Sequence, residues 1–457
     1  MVGLAFAAAI VLLAVPTPAG IAPEMMRAAA LTIPAIALWA TGVLPAHLTG
    51  VAFLLFAMLL AVAPAAVVFS GFHSIAVWLV FSGLVLGVAI RTTGLGARIS
   101  DYLLGVFGAS YRSLVGGIII VGVVFSLLLP SSIGRIIILL PIVITLADRL
   151  GFAPGSNGRT GLVMAAGFGT LIPAFALLPA NVPNIVLVGS AETLYGITMT
   201  YGGYLLAHMP VSGIFRGLAI YGLILVMFPA TLPAGAGTPD ADARTAPEPL
   251  SPQARLLALV LATALLLWAA DFLHGVSPAW VALAAAFFCL LPGVGLVGPK
   301  DFDAGVSFAP VLYIVGLLGL GAVVAKTGLG EVLGRTLLGV LDLTPGQDFN
   351  NYLAMIAAFT ITPMITTTPA MPAIVSPLAA EIATATGIPL WTVLMTEVTG
   401  FATIVLPYQM PPVVLTMQMG KVPYGHCARL TLALAGVSLV LFAPLNYLWW
   451  QYLGYFG

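Results

Sequence analysis

The chain has 457 residues, of which 61% are hydrophobic and 7% charged, with 15 basic and 15 acidic side chains and no net charge. A soluble domain carries roughly 25% charged residues, so this surface cannot lie mostly in water. A cytosolic enzyme, a nucleic-acid binder and a disordered chain are excluded, leaving an all-α polytopic protein whose surroundings are the lipid bilayer.

A helix needs about 20 apolar residues to cross the hydrocarbon core. On that measure the predicted spans run over 2–15, 27–46, 48–66, 75–91, 203–230, 255–273, 278–292, 308–326 and 427–453. Two more apolar stretches, 160–190 and 389–419, are broken by proline and polar residues, giving about eleven crossings. The first segment has no basic residues ahead of its apolar run, so it reads as a helix and not a signal peptide. The least apolar stretch, 232–252, carries Asp240, Asp242, Arg244, Glu248 and several prolines and reads as an aqueous linker. The expected organisation is an N-terminal helix and lead-in (1–26), a first repeat (27–231), the polar linker (232–254) and a second repeat (255–457). Cys289 and Cys427 stand too far apart for a disulfide framework or a metal-ligand spacing.

The repeat rests on internal similarity. Thr93-Gly94-Leu95-Gly96 matches Thr327-Gly328-Leu329-Gly330 at an offset of 234, Pro141 and Gly151 match Pro377 and Gly387 at 236, and Pro179 and Pro183 match Pro407 and Pro411 at 228. The stretch 91–112 holds Arg91, Arg98 and Arg112 against Asp101. Its counterpart, 326–348, holds Lys326 and Arg335 against Glu331, Asp342 and Asp348. Basic loops face the cytoplasm, so equivalent ends would face opposite sides. That is an inverted repeat, a transporter architecture with binding sites near the midplane.

Each repeat places small polar residues inside an apolar stretch. Pro130-Ser131-Ser132-Ile133-Gly134-Arg135 lies between two apolar legs, as does Thr366-Thr367-Thr368-Pro369. Legs of roughly 15 residues rise about 23 Å as helix, short of the ~30 Å core. Re-entrant hairpins over about 112–150 and 350–387 fit that length, and two full tilted spans are the alternative that length leaves open. Backbone opened at membrane depth must be satisfied by protein, ions or water. Hydroxyls beside free helix ends can donate to an anion or join carbonyls around a cation, or simply bond back to their own helix. Each hairpin precedes an interrupted crossing, with Pro179-Ala180-Asn181-Val182-Pro183-Asn184 in one and Thr403 and Pro407-Tyr408-Gln409-Met410-Pro411-Pro412 in the other. Proline disrupts the helical ladder, so both crossings should unwind there.

With its paired hairpins, the Gly-Leu-Gly ends before them and the breaks after them, the chain resembles the divalent anion/sodium symporter family of the wider ion transporter superfamily, over nearly all its length from about residue 27. The resemblance implies a homodimer moving its substrate by an elevator motion. It implies tips that bind a carboxylate or sulfate and, with the breaks, a sodium site in each half. The family's Ser-Asn-Thr tip signature falls on Ser131-Ser132-Ile133 and Thr367-Thr368-Pro369, and its Thr-Pro-Pro-Asn breaks fall near 181–184 and 409–412. Asn is missing from both tips of this chain.

An ionisable residue at membrane depth is a functional candidate by default. Arg135 suits a bidentate pair with an anion, a fixed charge in place of sodium, or a structural pairing with free carbonyls. Glu397 suits a coupling proton, a partner for Arg135, or a place at the membrane edge. The expected function is a secondary active transporter of a small anion (dicarboxylate, sulfate or sulfonate) in the inner membrane. Ser131, Ser132, Arg135, Asn181, Thr367, Thr368 and Gln409 would bind substrate. Ser131, Gly134, Asn184, Thr366, Thr403 and Glu397 would serve ion binding or coupling. Sodium symport ranks first on the family resemblance, ahead of proton coupling and of sodium-independent exchange with Arg135 standing for the ion. A passive anion channel is the competitor from another class. An intramembrane enzyme finds no HExxH or GxSxG motif to support it.

Overall fold

Backbone polar groups cannot stay unpaired in hydrocarbon, so an apolar chain of this kind must close its hydrogen bonds within each segment. The computed structural model describes residues 2–18, 21–96, 98–99, 110–129, 131–232, 250–341 and 343–456, and these form helices and no strands. Most of the expected linker, together with Asp101, Pro130 and Asp342, lies outside the described residues.

The first half of the chain contributes α1 (Val2–Ala14), α2 (Pro23–Thr41), α3 (Ala46–Leu59), α4 (Ile75–Thr92), α5 (Tyr111–Leu128), α6 (Ser132–Arg149), α7 (Asn157–Gly169), α8 (Val182–Tyr195) and α9 (Tyr201–Met227). The second half contributes α10 (Pro252–Ala269), α11 (Pro278–Leu290), α12 (Ala309–Lys326), α13 (Leu329–Leu341), α14 (Asp348–Ile365), α15 (371–386, with a 3-10 turn inside), α16 (Leu390–Phe401), α17 (Pro411–Gly420) and α18 (Tyr424–Tyr452). Both α9 and α18 contain a π-helical segment, Met209–Phe215 and Ser438–Phe442. Among the described residues, seven stretches are long and apolar enough to cross a bilayer unaided, while α1, α3 and α11 are apolar but shorter. These seven are not the expected crossings one for one: they include α5, a hairpin leg whose 18 residues exceed the roughly 15 expected, and omit α2, α3 and α11, because an apolar run does not say where its helix stops. The run 48–66 outlasts α3, which ends at Leu59, and 389–419 divides into two short helices.

The sequence matches recur as matched geometry. Thr93 Oγ1 donates to Ala89 O at 2.7 Å and Thr327 Oγ1 to Val323 O at 2.8 Å. The glycine after each threonine is left-handed, Gly94 at φ 68° and Gly328 at φ 76°, which ends α4 and α12 alike. Packing is exchanged between the halves: α3 lies against α12 and α11 against α4. Within each half the first hairpin leg lies against the helix before the break, α5 on α7 and α14 on α16. Glycine sets these distances. A Cβ on Gly122 would stand 2.6 Å from the Gly169 carbonyl carbon, and one on Gly400 would strike Phe359.

Candidate functional site

Helix termini leave orphan N–H and C=O groups, and four such helices meet here. In the first half, Ser131 is the N-cap of α6, its Oγ accepting from Gly134 N at 3.1 Å. Ser132 Oγ bonds to Oδ1 of Asn181, the residue just before α8. In the second half, Thr368 N donates to Gln409 O at 2.9 Å, two residues before α17. Each hairpin tip is therefore tied to the start of the second part of its own broken crossing. In addition, α8 packs on 371–375 at the start of α15, and α17 packs on α6. The circuit α6, α8, α15, α17 and back to α6 is closed. The two ties each bring a pair of helix starts together, α6 with α8 and α15 with α17; helix N-termini carry partial positive charge and free donors, so each pair is suited to an anion.

Arg135 is fully buried one turn into α6. Its Nε and Nη2 donate to Thr170 O at 3.1 and 2.8 Å, and its Nη1 to Leu129 O and to Ala180 O at 2.9 Å. Nη2 also reaches Ser132 Oγ at 3.0 Å and Asn181 Oδ1 at 3.1 Å. A guanidinium has five N–H donors, and these five acceptors engage them. Of the three roles expected of Arg135, these contacts are those of a pairing with free carbonyls: the guanidinium closes the open backbone between hairpin and break, and every donor is engaged. It is not paired with Glu397, which bonds instead to Ser376.

The remaining expected residues divide into two groups. Some are spent on local backbone. Asn184 Nδ2 donates to Leu177 O at 2.8 Å and Phe175 O at 3.2 Å, closing the unwound stretch before α8. Thr366 Oγ1 bonds Thr362 O, and Thr403 Oγ1 bonds Thr399 O at 2.8 Å, each within its own helix. Gln409 Oε1 accepts from Val405 N and Leu406 N, which supports the second break. Other groups are buried without a protein partner: Thr367 Oγ1, Thr368 Oγ1, Asn181 Nδ2 and Gln409 Nε2. Buried polar atoms rarely stay unmatched, so these four have hydrogen-bonding capacity to give a ligand or water.

Glu397 is fully buried. Its Oε2 accepts from Ser376 Oγ at 3.0 Å, and its Oε1 has no partner. Two groups escaped the sequence reading. The carbonyls of Leu129, Thr170 and Ala180 are backbone, which carries no residue signal. Arg216, fully buried inside α9, did carry one, as an arginine in an unbroken apolar run.

The family described as Sodium:sulfate symporter transmembrane region matches residues 2–456. A membrane protein of Cupriavidus necator is 28% identical over 350 residues, covering 72% of this chain and 68% of its own. The L-tartrate/succinate antiporter of Escherichia coli K12 is 23% identical over 398 residues, covering 83% of this chain and 79% of its own. In fold, the chain is similar to the YdaH transporter of Alcanivorax borkumensis, with a TM-score of 0.54, 18% identity and coverage of 85% of this chain and 87% of that one.

Proposed function

We propose that this chain, a membrane anion transporter belonging to the sodium:sulfate symporter family, exchanges small dicarboxylates across the inner membrane without a coupling sodium ion. It is a transport protein and not an enzyme. The observation that carries the proposal is the cage around Arg135. Three carbonyls from the hairpin, the end of α7 and the break surround a fixed positive charge, and a ring of such oxygens is what a bound cation otherwise requires. A resident guanidinium in that position supplies the charge permanently. The cage favours sodium independence over the sodium symport that the family resemblance puts first. The substrate class follows the relatives described as L-tartrate/succinate antiporters. In this proposal the anion lies in the four-helix circuit, at Thr367, Thr368, Asn181 and Gln409.

Residues 27–231 and 255–457 act as an inverted pair in this proposal. With both hairpins returning to the side they entered from, α2, α3, α4, the α7–α8 crossing and α9 make five passages in the first half. That odd number starts α10 from the opposite side. An elevator motion in a homodimer would then carry the circuit from face to face. Proton coupling is the second reading, favoured by the buried, half-bonded Glu397.

The test is counterflow in proteoliposomes preloaded with succinate. Labelled succinate or tartrate should enter at the same rate with external sodium or potassium, and should accumulate above equilibrium. Uptake that requires sodium would overturn sodium independence, and uptake that never exceeds equilibrium would point to a channel.

A further inference from the structure

Two arginines are fully buried among the apolar helices, and they are used in opposite ways. Arg135 has engaged every donor. Arg216 has not: Nη2 reaches Thr403 Oγ1 at 3.2 Å and Thr399 O at a weak 3.5 Å, while Nε and Nη1 have no partner at all. Among the described residues the ion pairs are Arg159 with Asp148 and Arg335 with Glu331, so no carboxylate balances Arg216. An uncompensated cation at membrane depth is expensive, and a guanidinium with unused N–H groups adds the cost of unmade hydrogen bonds.

The surroundings supply further unmatched groups. Ser212, one turn before Arg216, has a buried Oγ without a partner. Asn446 of α18 donates to Tyr352 OH at 2.9 Å and faintly to Thr399 Oγ1 at 3.5 Å, which joins α18 and α14 to the residue Arg216 touches, and its Oδ1 is unmatched. Arg216 follows directly on the π segment Met209–Phe215, and π turns inside α-helices frequently mark functional sites. Thr403, its partner, stands 233 residues after Thr170, the partner of Arg135, at the same place in the other broken crossing. Both breaks thus meet an arginine just after their first helix, and only the second arginine is free to donate outward.

We infer that Arg216 is an anion-contacting residue. It binds one monoanionic group, a carboxylate of the transported acid or a free chloride, through Nε and Nη1, with the Ser212 hydroxyl as a further donor. The inference deepens the proposed transport function and rests on it. It moves the neutralising charge from Arg135, the residue the sequence singles out, to one held beside the second break at Thr399 and Thr403.

The experiment measures thermal unfolding of the purified full-length protein in chloride-free buffer, titrated separately with succinate and with chloride. It compares wild type with Arg216→Gln and Arg216→Lys, and runs succinate counterflow in parallel. Wild type should be stabilised by succinate, by chloride, or by both, and the responding anion identifies the source of the group. Arg216→Gln should keep its unfolding temperature without anion, since it removes an unbalanced charge. Its anion-induced shift should be lost, with apparent affinity weakened roughly 30-fold or more. Arg216→Lys should retain part of the shift. If Arg216 only supports Thr399 and Thr403, the Gln variant would unfold earlier yet respond to anion as wild type does, which overturns the inference. A wild type that exchanges succinate but responds to neither anion would assign the unmatched atoms to water and overturn it too. A wild type that neither responds nor exchanges would instead remove the proposed transport function.

Discussion

Arg135 and the Thr170 carbonyl are joined by two N–H donors, Nε at 3.1 Å and Nη2 at 2.8 Å. The carbonyl is free because α7 has just ended at Gly169. Cations suit helix C-termini, where the dipole is negative and carbonyls lack partners. A side chain of the hairpin thereby supplies what the interrupted crossing has lost, so the hairpin and the break are one structural unit.

Arg135→Gln should therefore act first on stability. It strands the buried carbonyls of Leu129 and Ala180, while Thr170 O keeps the Ser126 hydroxyl at 3.1 Å; at ~1–3 kcal/mol for each unmatched group, a loss of about 2 kcal/mol or more is expected in chemical or thermal unfolding of the solubilised protein. Supplying sodium should restore part of that loss, because a small cation fits the vacated carbonyls. A variant as stable as wild type, indifferent to sodium, would show that the cage needs no cation.

Gly122→Ala should loosen the same unit from behind. Its Cβ would lie 2.6 Å from the Gly169 carbonyl carbon and 2.7 Å from Thr170 N, both backbone and unable to turn aside. Overpacking of this kind costs ~1–3 kcal/mol. Displacing α7 also displaces the Thr170 carbonyl, so exchange should slow along with the drop in unfolding temperature. Gly222→Ala, which meets open space, serves as the control.

Thr368→Val should separate binding from folding. The hydroxyl is buried without a partner, so its removal strands nothing and stability should stay within about 1 kcal/mol of wild type. A group that donates to the transported anion would, however, be missed, and KM for exchange should rise about 10-fold, the worth of roughly 1.4 kcal/mol. Thr366→Val is the contrast, since that hydroxyl already bonds Thr362 O and KM should not move. Equal KM in all three proteins would take Thr368 out of the binding circuit.

The elements that hold the circuit were legible because their causes are local. Thr93-Gly94 and Thr327-Gly328 are helix-ending signals wherever they occur, and the prolines at 179, 183, 407 and 411 break helices by their own chemistry. The hydroxyls at 131–132 and 366–368 were visible as polar residues in apolar surroundings. What each side chain faces was not visible, since that depends on contacts between distant segments. Arg135 reads equally well as an anion ligand or as a carbonyl partner until Thr170 and Ala180 are brought beside it. Asn184 has the same ambiguity and turns inward to Leu177 O. Arg216 is hidden differently: α9 reads as an ordinary span, with no hairpin or interrupted crossing beside it in sequence to single out its arginine.

Glu397 gives the last test, of the proton-coupled reading. Its Oε2 accepts from Ser376 Oγ while Oε1 has no partner. On the neighbouring α8, Tyr195 OH donates to Ser376 O at 2.6 Å, so the titratable groups around this pocket are Tyr195 and, further along α15, Glu381. No arginine or lysine pairs with Glu397 among the described residues. Burying a bare carboxylate costs several kcal/mol, whereas a neutral carboxylic acid fits the same space with one hydrogen bond made. Glutamine reproduces that neutral shape, so Glu397→Gln should fold as well as wild type, within about 1 kcal/mol. If the carboxyl gains and loses a proton as the circuit moves, the Gln variant should exchange succinate at a rate that no longer varies with pH. It should also fail to accumulate succinate when a proton gradient is the sole driving force. Should the variant retain the wild-type pH profile and gradient-driven uptake, Glu397 is a packing residue, and electroneutral exchange through the circuit stands without a proton.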